Sequence, residues 1–306
     1  MRPMNDSQLM PESNLRCLQC HEPLLRQGSA MCCANAHTYL LADDSIPILL
    51  DQRENCGHYA QQIEYFTNEF KNYSGYRLDP WMRKYVDAAL QHFGPPHAGA
   101  TALDIGSGSG YITIELARAG WHVIALDLTP ASMATLVQSA RQQGVLERIT
   151  PVIASALELP IADTSIDAIV GNAIIEHLPD DNRFVAELAR VAKPGARGML
   201  AAPIKLKYVW PWLWPVNYYH DRCIGHLRRY DRKTFAGLLT RHGFSLDQAL
   251  YSGHFIKVAG TLGQMLLGTH HYDEWLERCD SRGVRRAFGS SNITVTFHKV
   301  SRDAII

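Results

Sequence analysis

The segment ATALDIGSGSGYITIELARAGWHVIALDLTP, residues 100–130, constrains the fold of this 306-residue chain more than any other. ALDI is a short apolar strand, and YITIELARAG has the apolar spacing of a helix that ends at Gly120. HVIALD is a second apolar strand, ending in Asp127. The turn GSGSG joins the first strand to the helix. This order predicts the strand–turn–helix–strand unit of an open, mainly parallel α/β sheet.

The turn has glycine at alternate positions, Gly106, Gly108 and Gly110. Glycine is needed where the backbone must approach a ligand closely or adopt a positive φ. Asp127 ends the second strand, where an acid can accept hydrogen bonds from both hydroxyls of a ribose. The G-x-G-x-G spacing differs from the dinucleotide fingerprint G-x-G-x-x-G, because the third glycine comes one residue earlier. The turn and the acid together predict a ribose-bearing cofactor.

LDIGSGSG resembles the first motif of the class I S-adenosylmethionine-dependent methyltransferases, and the ALD that ends at Asp127 resembles their second strand. The resemblance covers about residues 65–300. It implies an α/β fold with a Rossmann-like, seven-stranded methyltransferase sheet, and S-adenosylmethionine as the cofactor. FVAELARVAKPGARGMLAAP fits the same scheme as a helix, a Pro-Gly turn and the fifth strand.

The resemblance also implies a set of cofactor-binding residues at the carboxyl ends of the strands. RITPVIASALELPIADTSIDAIVGNAIIEHLPD, residues 148–180, is similar to the family's third and fourth strands. Many relatives have an acid after the third strand that binds the adenine amino group, whereas this chain has Ser155. We therefore expect the backbone of Ala156 and Leu157 to share that role, and Asn172 to lie beside the methionine part of the cofactor. The expected set is Asp104, Gly106, Gly108, Gly110, Asp127, Leu128, Ser155, Ala156, Leu157 and Asn172.

A cysteine cluster, CLQCHEPLLRQGSAMCCANAH at residues 17–37, precedes this domain. Its C-x2-C and C-x3-H pairs are separated by twelve residues, which is the layout of a tetrahedral zinc site with two ligands from each of two turns. The predicted ligands of this structural zinc are Cys17, Cys20, Cys33 and His37. Cys32 could replace Cys33, and His21 is a weaker rival. Free thiols without metal are the alternative.

These features divide the chain into four parts. TYLLADDSIPILLD, after the cysteine cluster, predicts two strands around a turn at 43–45, which would complete a small zinc ribbon. Aromatic residues recur at helical spacing in the part that follows the ribbon, namely Tyr65, Phe66, Phe70, Tyr73 and Tyr76, and predict a lid on the cofactor side. The predicted parts are a flexible N-terminus (1–13), the zinc ribbon (14–51), a helical linker and lid (52–95) and the methyltransferase domain (96–306).

Two segments, 204–232 and 254–291, are longer than a minimal methyltransferase requires. Ligands of open α/β sheets bind beyond the carboxyl ends of the strands, so we expect both segments to roof the methyl-transfer pocket. The first is rich in Trp and Tyr, and residues 205–241 contain eight Lys or Arg and two Asp. Such a composition can stack bases and hold phosphates, bind an anionic or aromatic small molecule, rest on a membrane surface, or form a packed lid with solvated charges.

GHLRRYDRKTFAGLLTRHGF resembles a segment of the small-molecule members of the family, in which an aromatic-bearing loop leads into the helix before the sixth strand. The expected substrate-binding residues are Tyr218, Tyr219, His226, Arg229 and Tyr230. His220 is a candidate general base because histidine titrates near neutral pH. His177, after the fourth strand, lies nearer the expected methyl position. A structural role is the alternative for both histidines.

The function predicted from these patterns is methyl transfer to a small-molecule acceptor, either a metabolite or a lipid-type compound. The formal net charge of zero does not favour a protein that acts only on nucleic acid. One alternative is an rRNA guanine-N1 methyltransferase that uses the zinc ribbon to dock RNA. It rests on a resemblance to the bacterial 23S rRNA guanine-N1 methyltransferases, which carry a similar knuckle with the same C-x2-C-x12-C-x3-H spacing. Against it, residues 14–51 contain two Arg and four acidic residues. A cofactor-binding partner protein without turnover is the second alternative.

The predicted location is the cytoplasm. MRPMNDSQLMPESNLR lacks the apolar core of a signal peptide, and no stretch of the sequence has the length and hydrophobicity of a membrane span. Peripheral contact with a membrane remains compatible with the aromatic segment. Cysteines in a reducing compartment are more often free, catalytic or metal-bound than paired.

Overall fold

A computed structural model describes residues 14–43, 46–50, 57–70, 75–267 and 273–301. The predicted flexible N-terminus, part of the predicted turn at 43–45, and Tyr73 lie outside the described residues.

Within those ranges the chain alternates strands and helices, as the sequence predicts. The strands are β1 (Leu25–Gln27), β2 (Ala30–Cys32), β3 (Thr38–Leu40), β4 (Ile48–Leu49), β5 (Thr101–Ile105), β6 (His122–Asp127), β7 (Ile149–Ala154), β8 (Ile166–Asn172), β9 (Ala192–Pro203), β10 (Phe244–Ser252) and β11 (Asn292–Lys299). The helices are α1 (Gly57–Phe70), α2 (Pro80–Phe93), α3 (Tyr111–Arg118), α4 (Pro130–Gln142), α5 (Asp181–Val191), α6 (Trp214–Ile224), α7 (Arg232–Arg241), α8 (Phe255–Leu267) and α9 (Asp273–Ser281).

The central sheet has the strand order β10-β11-β9-β8-β5-β6-β7-β4. β11 runs antiparallel between β9 and β10, and the remaining neighbours pair in parallel. This is the α/β methyltransferase fold, and the helices cover both faces of the sheet. Side chains of α2, α3 and α4 pack on one face, and those of α5 and α7 on the other.

The sheet has eight strands rather than the expected seven, and the eighth is β4. We expected this strand to complete the zinc ribbon. Instead Ile48 and Leu49 pair in parallel with Ile153 and Ala154 at the end of β7. The predicted hairpin is present, since Leu41 and Pro47 form an antiparallel bridge. The expectation that its second strand completes the ribbon was wrong, because this strand adds to the edge of the domain's sheet, where Leu49 is fully buried.

The rest of the ribbon is a three-stranded antiparallel sheet, β1-β2-β3, that packs on the domain. The amide of Arg16 donates to the carbonyl of Pro160 (2.9 Å), and the amide of Ala162 donates to the carbonyl of Asn14 (2.8 Å). Buried ribbon side chains join the same apolar core as α5 and α7, namely Leu15, Leu24, Met31 and Tyr39. The ribbon is therefore continuous with the domain rather than tethered to it.

The two long segments fold as helices on the carboxyl side of the sheet. The first contains two short 3₁₀ turns and α6, and the second contains α8 and α9. Among the described residues, no helix combines the length and hydrophobicity that crossing a bilayer would require.

Candidate functional site

A cavity of about 320 Å³ lies at the carboxyl ends of β5, β6, β7 and β8, beneath α1 and α2. Its volume is within the range of small-molecule sites, which starts near 300 Å³. Ten residues were predicted to bind the cofactor, and eight of them line this cavity: Asp104, Gly106, Gly108, Asp127, Leu128, Ser155, Ala156 and Asn172. Gly110 and Leu157 are not part of its lining.

Gly108 and Gly110 have different roles in the turn. Both have positive φ, +52° and +81°. Gly108 lines the cavity, and its amide donates to Asp127 Oδ2 (3.0 Å). Gly110 instead begins α3, where an added Cβ would lie 2.6 Å from Leu136 Cγ. Gly110 lies outside the cavity lining, and its lack of a side chain is explained by the close packing of α3 on α4.

Two buried carboxyl groups flank the turn. Asp127 Oδ1 accepts from the amide of Thr129 (2.8 Å), so each carboxylate oxygen of Asp127 holds one backbone amide and retains a lone pair for a ligand. Burial raises the pKa of Asp127. Burial also raises the pKa of Asp104 to about 7, even though its Oδ2 accepts from the Thr113 hydroxyl (2.6 Å).

The remaining predicted residues lie at the two ends of the cavity. The backbone amide of Leu157, which we expected to face adenine, donates instead to Ser155 Oγ (3.2 Å). Leu157 itself packs in the apolar core. At the opposite end the Asn172 side-chain amide donates to the Tyr111 hydroxyl (2.7 Å), and both residues line the cavity.

Three aromatic side chains form an apolar wall of the cavity, and the sequence predicted only some of them. It consists of Phe66 and Phe70 from α1 and Trp81 from α2. The predicted lid residue Tyr65 is instead partly exposed, and the hydroxyl of Tyr76 donates to Glu115. Trp81, Tyr59, Gln62, Met82 and Tyr111 line the cavity without having been predicted to do so. The helical aromatic spacing over residues 59–94 was the available signal, but it does not identify the face that meets the ligand.

A histidine–carboxylate cluster adjoins the methionine end. His177 lines the cavity, and its ring packs edge to face on Phe66 (5.8 Å between centroids) and His226 (4.8 Å). Glu176 is 1% exposed, and burial raises its pKa to about 8. Burial also lowers the pKa of His226, although a hydrogen bond to Asp221 opposes that shift.

None of the five predicted substrate residues is among those that line this cavity. His220, Tyr218 and Tyr219 lie on the exposed side of α6, and Tyr219 is 72% exposed. Tyr230 is 3% exposed, and its hydroxyl donates to Asp181 Oδ2 (2.9 Å). Within the described chain, these four residues, together with His226 and Arg229, are absent from the cavity lining.

These residues were predicted from aromatic and basic composition, which does not specify the direction of a side chain, and the structure places them outside the lining of this cavity. Arg229 holds Asp221 through Nε (2.6 Å) and Nη2 (2.8 Å), so it supports α6 rather than a ligand. His220 likewise does not contact the cavity, so His177 is the predicted catalytic histidine that remains.

The four predicted zinc ligands converge in the ribbon, and all their ligand atoms lie within 4.8 Å of one another. His37 Nδ1 lies 3.4 Å from Sγ of both Cys17 and Cys33, and Sγ of Cys20 lies 3.6 Å from that of Cys33. Metal–ligand bonds of 2.0–2.3 Å at tetrahedral angles imply about 3.5 Å for S···N and about 3.8 Å for S···S. The residues present fit a zinc ion. Cys32 Sγ lies instead 3.7 Å from the Thr38 hydroxyl.

Comparisons with known proteins agree with this site. Residues 103–200 match the model of a methyltransferase domain family. An uncharacterized methyltransferase of Mycobacterium avium is 27% identical over 209 residues, which are 66% of this chain and 78% of that protein. The chain contains an S-adenosylmethionine-dependent methyltransferase domain. The glycine turn and Asp127 of this domain lie in the matched region.

Solved structures share the fold of the methyltransferase domain. Geranyl diphosphate C-methyltransferase from Streptomyces coelicolor has a TM-score of 0.59 and 14% identity, over 80% of this chain and 99% of that chain. Haemonchus contortus phosphoethanolamine N-methyltransferase 2 has a TM-score of 0.55 and 15% identity, over 82% of this chain and 59% of that chain. At such identities the likeness concerns the fold alone.

Proposed function

We propose that the domain transfers the methyl group of S-adenosylmethionine to a small-molecule acceptor, either a metabolite or a lipid-type compound. The observation that carries the proposal is the composition of the cavity, whose lining combines the glycine turn and Asp127 with Phe66, Phe70 and Trp81. One side thus offers polar groups that suit a nucleoside, and the other offers an apolar surface that suits an organic acceptor.

Different residues of the cavity lining would bind the ribose, adenine and methionine parts of the cofactor. Asp127 would accept from the ribose hydroxyls, and Ser155 and Ala156 would border adenine. Asn172, held by Tyr111, would border the methionine part. When bound, S-adenosylmethionine supplies a methyl group already activated on a sulfonium. The protein therefore has to align the acceptor with the methyl group and exclude water.

The wall opposite the glycine turn supports a small acceptor. Phe66, Phe70 and Trp81 give the cavity an apolar surface, which suits contact with an organic acceptor. His177 is the histidine that we propose to face the acceptor, because it borders the cavity and His220 does not. The two solved structures above are named for small acceptors, geranyl diphosphate and phosphoethanolamine, which is compatible with this proposal.

We assign the ribbon a structural zinc held by Cys17, Cys20, Cys33 and His37. Four protein ligands leave no open position for chemistry. The ribbon shares its apolar core with the domain, and its sequence has more acidic than basic residues, so it suits a scaffold better than an RNA-docking surface.

The test uses S-adenosylmethionine with a labelled methyl group. The purified protein is incubated with extract from cells that lack it, and RNA, lipid and low-molecular-weight fractions are then separated. Label in a lipid or small molecule supports the proposal, provided that Asp127→Asn lowers it at S-adenosylmethionine concentrations below saturation. Label confined to RNA refutes the small-molecule acceptor, and no label in any fraction refutes turnover under these conditions.

A further inference from the structure

A second group of potential metal ligands lies beside the cavity, far from the ribbon in sequence. One side-chain ligand atom from each of Glu176, His177 and His226 lies within 4.8 Å of the others. Glu176 is 1% exposed, and within the part of the chain that the structure describes its Oε2 has no hydrogen-bond partner. A buried carboxyl oxygen without a partner is costly, so its presence calls for a ligand that the protein itself does not supply.

The orientation of His226 provides an independent observation. Its Nδ1 lies 2.8 Å from Asp221 Oδ1, and both oxygens of Asp221 are held by the Arg229 guanidinium. A carboxylate only accepts hydrogen bonds, so Nδ1 carries the proton and Nε2 presents a lone pair. That lone pair faces Glu176 Oε1 at 3.7 Å, which is too long for a hydrogen bond.

A divalent cation would displace the proton that the raised pKa of Glu176 retains, and Oε1 and His226 Nε2 would then be two electron-pair donors facing each other across this gap. Metal–nitrogen and metal–oxygen bonds of about 2.1 Å at a tetrahedral angle place the two ligand atoms about 3.4 Å apart, which is near the observed separation. A carboxylate that accepts from the second nitrogen of a ligating histidine is the usual support of such a site, and Asp221 stands in that position.

We propose that Glu176, His177 and His226 form a divalent transition-metal site on the wall of the methyl-transfer cavity, with an open position for an oxygen atom of the acceptor. Two imidazoles and one carboxylate suit Zn²⁺, Fe²⁺ or Co²⁺ better than Mg²⁺ or Ca²⁺, which prefer oxygen ligands. Three protein ligands leave a coordination position free. Because His177 lines the cavity, that position would face the acceptor.

A neighbouring group, His220, Asp221 and His226, is also compact, but it suits a metal less well. Both Asp221 oxygens are already engaged by Arg229 and His226. His226 Nδ1 is the atom that faces Asp221, and it carries the proton, so it cannot also bind a metal there. The metal site is therefore assigned to the Nε2 side of His226, next to the cavity.

The role of the metal rests on the proposed methyl transfer, but its presence can be tested without activity. The protein is stripped with chelator and dialysed against Zn²⁺ or Co²⁺, and bound metal is counted by atomic emission. We expect Glu176→Gln and His226→Gln to bind one equivalent less than wild type, and Asp221→Asn to lower the affinity of that equivalent by about 10- to 100-fold. His97→Gln, at an exposed histidine, is the matched control and should keep the wild-type count.

Cys17→Ser distinguishes metal bound at the ribbon from metal bound beside the cavity. This variant should lose the ribbon's equivalent of metal and, with it, the cobalt–thiolate absorption in the near ultraviolet. Binding of S-adenosylhomocysteine by each variant shows whether the domain is folded and its cofactor-binding residues are intact. His177→Gln provides a second test if Glu176→Gln does not fold. Equal metal counts in wild type and in the folded Glu176 and His226 variants would overturn the metal site. If the folded Glu176 and His226 variants lose labelled-methyl transfer but keep the wild-type metal count, the metal site is overturned while the proposed methyl transfer stands.

Discussion

Replacing Asp127 by Asn tests the cofactor assignment most directly. Each carboxylate oxygen of Asp127 accepts one backbone amide, from Gly108 and Thr129, and keeps a lone pair toward the cavity. The Asn side chain has the same shape but offers one acceptor oxygen instead of two. The Nδ2 group that replaces the other oxygen cannot accept, so the variant loses the hydrogen bond from one backbone amide as well as one from a ribose hydroxyl. The bond from the ribose hydroxyl to the charged acceptor contributes about 1.5–3 kcal/mol to cofactor affinity.

That loss corresponds to a decrease in affinity of about 13- to 160-fold. We would measure the Kd of S-adenosylhomocysteine by isothermal titration calorimetry at constant ionic strength. Asp163→Asn, at an exposed carboxylate paired with Arg190, controls for the change in net charge. Urea unfolding of both apo-proteins checks that the turn remains folded. A Kd within three-fold of wild type for a folded Asp127→Asn would refute the ribose assignment.

Three further expectations concern the ribbon, the turn and the buried acid. Cys17→Ser or chelation should lower the melting temperature, whereas Cys32→Ser should leave it within 1–2 °C; equal melting of all forms would exclude a stabilising zinc. Gly110→Ala should lower the free energy of unfolding by about 2–4 kcal/mol in the wild type and by less in a Leu136→Ala background; full stability of the single variant in urea would contradict the packing argument. Asp104→Asn should gain stability relative to wild type as the pH rises from 4 to 7, because the raised pKa of Asp104 gives stability at low pH that is lost as the acid ionises; parallel pH profiles would disprove this.

The sequence was most informative where backbone geometry and chemistry coincide. The glycine turn and Asp127 are adjacent in a strand–turn–helix–strand unit, so local spacing alone predicts their meeting at the carboxyl edge of the sheet. The four ligand residues of the ribbon are likewise predictable, because two tight turns fix the positions of each pair. Short-range spacing is a reliable guide when one turn determines the geometry.

Long-range packing was not predictable in the same way. Trp81 reaches the cavity from α2, and β4 joins the edge of β7, because tertiary contacts choose which face of a helix or which edge of a sheet is covered. The aromatic residues of α6 are exposed although their composition resembles that of a binding segment. Glu176 escaped notice because a sequence does not reveal that a carboxyl group is buried beside two histidines.

The attachment of the ribbon to the sheet has a thermodynamic consequence. β4 pairs with β7 directly before Ser155, and Arg16 is bonded to the loop at Pro160, so the ribbon and the adenine end of the cavity share one short stretch of backbone. If metal binding to the ribbon alters this shared backbone, it would change the affinity for the cofactor, and by reciprocity the cofactor would change the affinity for the metal by the same factor. Such a coupling would appear as a difference in the affinity for S-adenosylhomocysteine between the zinc-loaded and chelated protein.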